Sequence, residues 1–141
     1  HGTPVLYPME AVRDVPDCYQ VSHTHKDTLK ECVSQIVSVM EERLDREEGE
    51  GKGRICVIVP DAQAQLWHAD ESGASALDQR VSYLTAAGSK GLEFDSVVVV
   101  EPGAILDQGS GDLFVALTRA THDLHAVTTT QLPRGMEEWD A

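Results

Sequence analysis

The chain has 141 residues, 41% of them hydrophobic, which suffices for one domain with a true core and is too little for two ordinary ones. A formal net charge of −13 argues against a surface that grips a nucleic-acid backbone unaided, because such surfaces carry an excess of Lys and Arg. No apolar run nears the roughly 20 residues that a membrane-spanning helix needs, so a soluble, cytoplasmic protein with no membrane partner is expected.

The chain opens on His1-Gly-Thr-Pro4, with neither the basic start nor the apolar stretch of a signal peptide, and reads as a fragment of a longer protein. Cys18, Cys32 and Cys56 form no C-x-x-C pair and are expected to be buried free thiols in a reducing compartment.

Val5-Leu-Tyr7, between Pro4 and Pro8, and the segment Cys18 to Ser22 have the makings of short strands. From Lys26 to Leu44 the apolar residues Leu29, Val33, Ile36, Val37, Met40 and Leu44 recur at three- and four-residue intervals, which predicts an amphipathic helix. Asp27 or Thr28 is placed to cap it, with Glu31 three residues beyond Thr28 as in a capping box. Glu41 to Glu50 then carries six carboxylates and leads into Gly49, Gly51 and Gly53. This acidic stretch reads as a solvated helix end and loop, or as a docking site for a basic partner.

Arg54-Ile-Cys-Val-Ile-Val-Pro60 is a continuous apolar run typical of a strand buried on both faces, and Asp61 is placed to cap a short helix through Leu66 and Trp67. Val81 to Leu84 and Ser96 to Glu101 repeat the strand pattern, a helix is predicted over Gly111 to Thr121, and a last strand over Leu124 to Thr128. Strands alternating with helices predict an α/β fold with a parallel sheet, whose working residues gather at the carboxyl ends of the strands. Residues 131–141 read as a disordered tail.

Two segments carry candidate chemistry. In Leu84-Thr-Ala-Ala-Gly-Ser-Lys-Gly-Leu-Glu-Phe-Asp95, Gly88 and Gly91 allow close approach of a ligand, Ser89 and Lys90 offer donors to a phosphate, and Glu93 offers an acceptor to a sugar hydroxyl. Taken by itself, such a turn between strands is more often a mere connection. In Leu113-Phe-Val-Ala-Leu-Thr-Arg-Ala-Thr-His122, Arg119 is a single cation among packing residues and needs an anionic partner, either a carboxylate such as Asp112 or Asp123, or a phosphate. His23 with His25, and His122 with His125, lie at spacings that metals use, but no further ligands complete a set, and no metal site is expected.

Thr85 to Asp95 resembles motif V of the UvrD/Rep-like superfamily 1 helicases, T-x-x-x-S-K-G-L-E-F-D, and Val115 to Ala120 resembles their motif VI, V-A-L-T-R-A. The resemblance is close from Val81 to about Thr128 and extends to the helicase IV or HelD type of helicase-like ATPase. It implies that residues 1–141 form one C-terminal RecA-like motor domain, a P-loop NTPase-like sheet flanked by helices. The chain has no G-x-x-x-x-G-K-[ST] string and so lacks its own Walker A loop.

By the resemblance, ATP and Mg²⁺ are held chiefly by an N-terminal RecA-like domain of the same protein. Arg119 is then the arginine finger, Gly91 lies near the γ-phosphate, Glu93 at the ribose, and Lys90 in either the nucleotide or the nucleic-acid role. Thr85, Ser89 and Thr118 fall where the motifs face nucleic acid and couple the two sites. The implied activity is an ATP-dependent DNA helicase or translocase acting on single-stranded DNA, with the fragment alone inactive and weak in DNA binding. The acidic balance keeps open a helicase-like ATPase that binds RNA polymerase and recycles transcription complexes, and a third reading is a non-catalytic interaction module.

Overall fold

The computed structural model describes residues 18–136, apart from the side chains of Cys18 and Leu77. The suggested strand over Val5 to Tyr7 lies outside these residues. Five strands, β1 (Cys18–His23), β2 (Ile55–Val59), β3 (Val81–Thr85), β4 (Phe94–Val100) and β5 (Ala120–Thr128), form one sheet in the order β1-β5-β4-β2-β3. Every pairing is parallel. This is an α/β, RecA-like arrangement.

The buried strands explain why their sequences are apolar throughout: successive side chains point to opposite faces, and both faces are covered. Ile55, Val57 and Val59 of β2 join Val98 and Val100 of β4 and Val127 of β5 on one face. There they meet α1 (Leu29–Glu48), whose stripe Leu29, Val33, Val37, Met40 and Leu44 is buried against them. At about 1.5–3 kcal/mol per buried aliphatic side chain, this contact is a main source of the domain's cohesion.

On the other face Cys56, Ile58, Val97, Val99, Leu124 and Ala126 pack with α3 (Ala86–Ser89), α4 (Pro102–Gln108) and α5 (Ser110–Leu117). A short α2 (Ala64–Trp67) follows β2, and its Trp67 is buried and stacks on Tyr83 at 6.1 Å between ring centroids. Among the described residues no helix is long and apolar enough to cross a membrane.

Several expected boundaries move. The long helix begins at Leu29 rather than Lys26 and runs past Leu44 to Glu48, where Gly49, at φ 111°, closes it as the sequence led us to expect. Thr28 is its N-cap but makes no side-chain cap; its hydroxyl is bonded to Thr24 Oγ1 at 2.7 Å and lies 3.2 Å from the carbonyl of His25, so the expected capping box does not form at α1. The last helix stops at Leu117, and β5 begins at Ala120, four residues before the expected strand. The reason is a ladder bond: the Phe94 amide donates to the Arg119 carbonyl at 2.9 Å, which draws the chain into the sheet. The expected tail is packed as far as it is described, with Met136 fully buried and Leu132 nearly so.

Candidate functional site

Thr85 closes β3 at its carboxyl end and is the N-cap of α3, its hydroxyl accepting the Gly88 amide at 3.2 Å. Ser89 is fully buried and donates its hydroxyl to the Ala86 carbonyl at 2.8 Å. Both hydroxyls therefore serve the α3 turn; the resemblance implied that these two residues face nucleic acid and couple the two sites. Gly88, read in sequence as room for a ligand, is buried under the backbone of Asp70 and Gly73.

Beyond α3 the chain surfaces. Lys90, Gly91 and Glu93 are exposed, and Gly91 adopts φ +78° with open space where a Cβ would lie. That conformation favours glycine, and the open space lets a ligand approach the backbone. Glu93 immediately precedes β4, and Arg119 immediately precedes β5. The stretch from Leu92 to Glu93 and Arg119 therefore meet at the amino ends of two adjacent strands, not at the carboxyl ends where the sequence reading placed the working residues. Only Thr85 and the start of α3 keep to the expected edge.

Arg119 is half-buried, and its guanidinium is held by three hydrogen bonds. Nε donates to the Val115 carbonyl at 3.1 Å, Nη1 to the Leu92 carbonyl at 3.3 Å, and Nη2 to the Thr118 hydroxyl at 3.1 Å. Val115 lies in the last turn of α5, whose carbonyls carry partial negative charge and attract a cation. No carboxylate among the described residues pairs with it. Of the two considered, Asp123 is bound to Arg43 at 2.6 Å, and Asp112 accepts Gln108 Nε2 at 2.9 Å. Two N–H groups of the guanidinium remain, one on each η nitrogen, because it carries five in all.

Thr118 is buried, its hydroxyl lying 2.9 Å from the Phe114 carbonyl and 3.2 Å from that of Val115. The resemblance implied a nucleic-acid or coupling role for it; the structure places its hydroxyl against the end of α5 and Arg119. Asp70, in the loop that covers Gly88, accepts the Ser72 amide and hydroxyl and the Ser75 amide, which holds its carboxyl well below the usual carboxylate range. It is a loop brace.

Sequence reasoning missed a polar cluster on the α1 face. Arg43 of α1 reaches both Asp123 of β5 and the Ser96 hydroxyl of β4, at 2.6 and 2.8 Å, and Ser96 donates to Asp123. His125 of β5, beside it, lies 2.7 Å from the Ser22 hydroxyl of β1 through Nε2. The partners are up to 103 positions apart in the chain, and no local pattern announces them. Among the described residues no group of three or more His, Cys, Asp or Glu gathers as a metal site.

A five-stranded parallel sheet covered by helices on both faces defines an α/β domain of the RecA-like kind. Residues 14–128 match the viral superfamily 1 RNA helicase core domain, and the chain belongs to that family. In three dimensions the domain is similar to the C-terminal domain of a possible DNA helicase from Lactobacillus plantarum WCFS1. The match has a TM-score of 0.56 at 14% identity and covers 99% of this chain and 95% of that one. At that identity it speaks for the fold. No curated protein matches the chain.

Proposed function

We propose that the chain is the C-terminal motor domain of a UvrD/Rep-like superfamily 1 DNA helicase or translocase, supplying half of an ATP site completed by an N-terminal RecA-like domain of the same protein. The observation that carries this reading is Arg119, a half-buried guanidinium with no carboxylate partner among the described residues, next to the exposed Lys90 to Glu93 turn. Its present acceptors, two carbonyls and a hydroxyl, carry no net charge, and a phosphate adds a full opposite charge, so a phosphate can recruit its two remaining N–H groups.

In this reading ATP is the substrate. Arg119 reaches its γ-phosphate across the domain cleft and neutralises charge that spreads over the phosphoryl oxygens in the transition state. Gly91 lets the backbone approach the phosphates, Lys90 adds a cation, and Glu93 accepts from the ribose. Thr85 and Ser89 couple the site to nucleic acid through the α3 turn that they hold together. In the same reading the ligands of the Mg²⁺ that accompanies ATP belong to the other motor domain. Closure of the cleft completes the site, and the cycle of closing and opening moves the bound strand.

The test is ATP turnover by the intact parent protein and its Arg119→Ala and Arg119→Lys forms, alone and with single-stranded DNA, RNA or RNA polymerase. Loss of about 10³-fold or more in the Ala form, some 4 kcal/mol of transition-state stabilisation, is expected. Lysine, a point charge without the planar fork, should restore little of it. Unchanged turnover in the Ala form would sink the reading. The charge of −13 favours one second reading, an ATPase that remodels RNA polymerase, which stimulation by polymerase and not by DNA would select.

A further inference from the structure

Thr118 is 9% exposed, and its hydroxyl stands between α5 and the guanidinium of Arg119. A hydroxyl has one proton to give and two lone pairs to offer. Arg119 has no acceptor, so at 3.1 Å from Nη2 the threonine oxygen must accept. Its own proton goes to the last turn of the helix, where the Phe114 carbonyl lies at 2.9 Å and that of Val115 at 3.2 Å. The result is a directed relay, guanidinium to hydroxyl to helix carbonyl, in which each group has one role.

The backbone fixes this oxygen in place. Thr118 is the C-cap of α5 at φ −113°, ψ 11°, with its amide bonded to the Val115 carbonyl at 3.2 Å. A β-branched side chain there has few rotamers to choose from. With Nε held by Val115 and Nη1 by Leu92, the Thr118 bond is the third point that defines the guanidinium plane. It also determines which N–H of Nη2 is left for an anion.

We infer that Thr118 is a positioning residue, which aims the Arg119 guanidinium through its buried hydroxyl. This rests on the reading of Arg119 as the transition-state cation. Phosphoryl transfer depends on placement, and an ångström of misplacement costs on the order of 10²-fold in rate. Thr118 thus acts on kcat, through Arg119, without touching substrate.

The experiment compares Thr118→Val, which keeps the shape and deletes the hydroxyl, with Thr118→Ser, which keeps the hydroxyl, and with Arg119→Ala, all in the intact parent protein. Thr118→Val should lower kcat by roughly 10- to 100-fold with KM for ATP nearly unchanged, and Thr118→Ser should keep most of it. Affinity for ADP with aluminium fluoride, relative to ADP alone, should fall in the Val form and hold in the Ser form, a readout that needs no turnover. Two results would overturn the inference while Arg119→Ala still abolishes turnover: Val equal to wild type, or Ser as impaired as Val. An Arg119→Ala form with full turnover would instead remove the reading beneath it. Should the Val form fail to fold, Thr118→Ala against Thr118→Ser makes the same comparison.

Discussion

Gly73 and Gly88 meet backbone to backbone: a Cβ on Gly73 would lie 2.3 Å from the Gly88 carbonyl oxygen, and one on Gly88 would lie 2.4 Å from that of Asp70. Two glycines, 15 positions apart, thus let the loop after α2 close over α3. The loop is braced by Asp70 through Ser72 and Ser75, and Asp70 also bridges to Leu84 of β3. Gly88 is committed to this contact, whereas Gly91, three residues on, is open.

The two glycines of the turn should therefore fail differently. Gly88→Ala pushes against backbone that cannot swing aside, and overpacking of this kind costs about 1–3 kcal/mol. Gly91→Ala meets no neighbour, and only its positive φ is penalised, by roughly 1 kcal/mol. Urea unfolding of the domain checks the order; a Gly91→Ala form less stable than Gly88→Ala would refute it.

Arg43, Ser96 and Asp123 tie α1 to β4 and β5. The two charged side chains are 22% and 13% exposed, so the pair is neither a surface bridge of little worth nor fully desolvated. Removing one partner strands the other: Asp123→Ala should cost about 2–4 kcal/mol, somewhat less than a fully buried pair. A double-mutant cycle with Arg43→Ala should return a coupling of about 1–3 kcal/mol. Additive losses would show that the contact contributes only packing.

How much of this was legible in the sequence depends on the range of the interaction. The stripe Leu29, Val33, Val37, Met40, Leu44 could be read because its five positions are all apolar and the period is local. Two short helices could not. α3 has four residues, and α4 buries only Pro102, Ile105 and Leu106. Ala120 fits the helical spacing of Leu113, Ala116 and Leu117, yet the sheet wins it, because Arg119 and Phe94 bond across strands 25 positions apart. The motif residues were identifiable by type, and the directions of the Thr85, Ser89 and Thr118 hydroxyls were not. Which way a hydroxyl turns depends on which carbonyl is free, and α3 and the end of α5 provide those carbonyls.

His125 makes stability depend on pH. Burial lowers its pKa from the ordinary value, with the Asp123 charge opposing in part. In the folded state it stays neutral at pH values where the unfolded chain already binds a proton. Its contribution is complete above the unfolded value of about 6.5 and is lost as pH falls from there toward the lower folded value. Denaturation between pH 8 and pH 5 should show this decline in the wild type and a flatter profile in His125→Gln. Parallel profiles would mean that another group carries the dependence.

The isolated domain should be a poor binder of nucleic acid. Affinity for a phosphate backbone comes mainly from cations that displace condensed counterions, and even proteins built for it bind non-specifically at about 10⁻⁴ to 10⁻⁶ M. Here the net charge is −13, and two arginines are engaged with carboxylates, Arg43 with Asp123 at 2.6 Å and Arg80 with Asp45 at 2.8 Å. Arg54 lies over the Phe94 ring at 5.1 Å and bonds the Ala76 carbonyl, and Arg119 is held by carbonyls and a hydroxyl. A labelled single-stranded oligonucleotide, DNA or RNA, titrated with the domain at about 0.1 M salt should show no saturation in the micromolar range. Saturation below about 1 µM that weakens steeply with salt would reveal a cationic track that the charge balance hides.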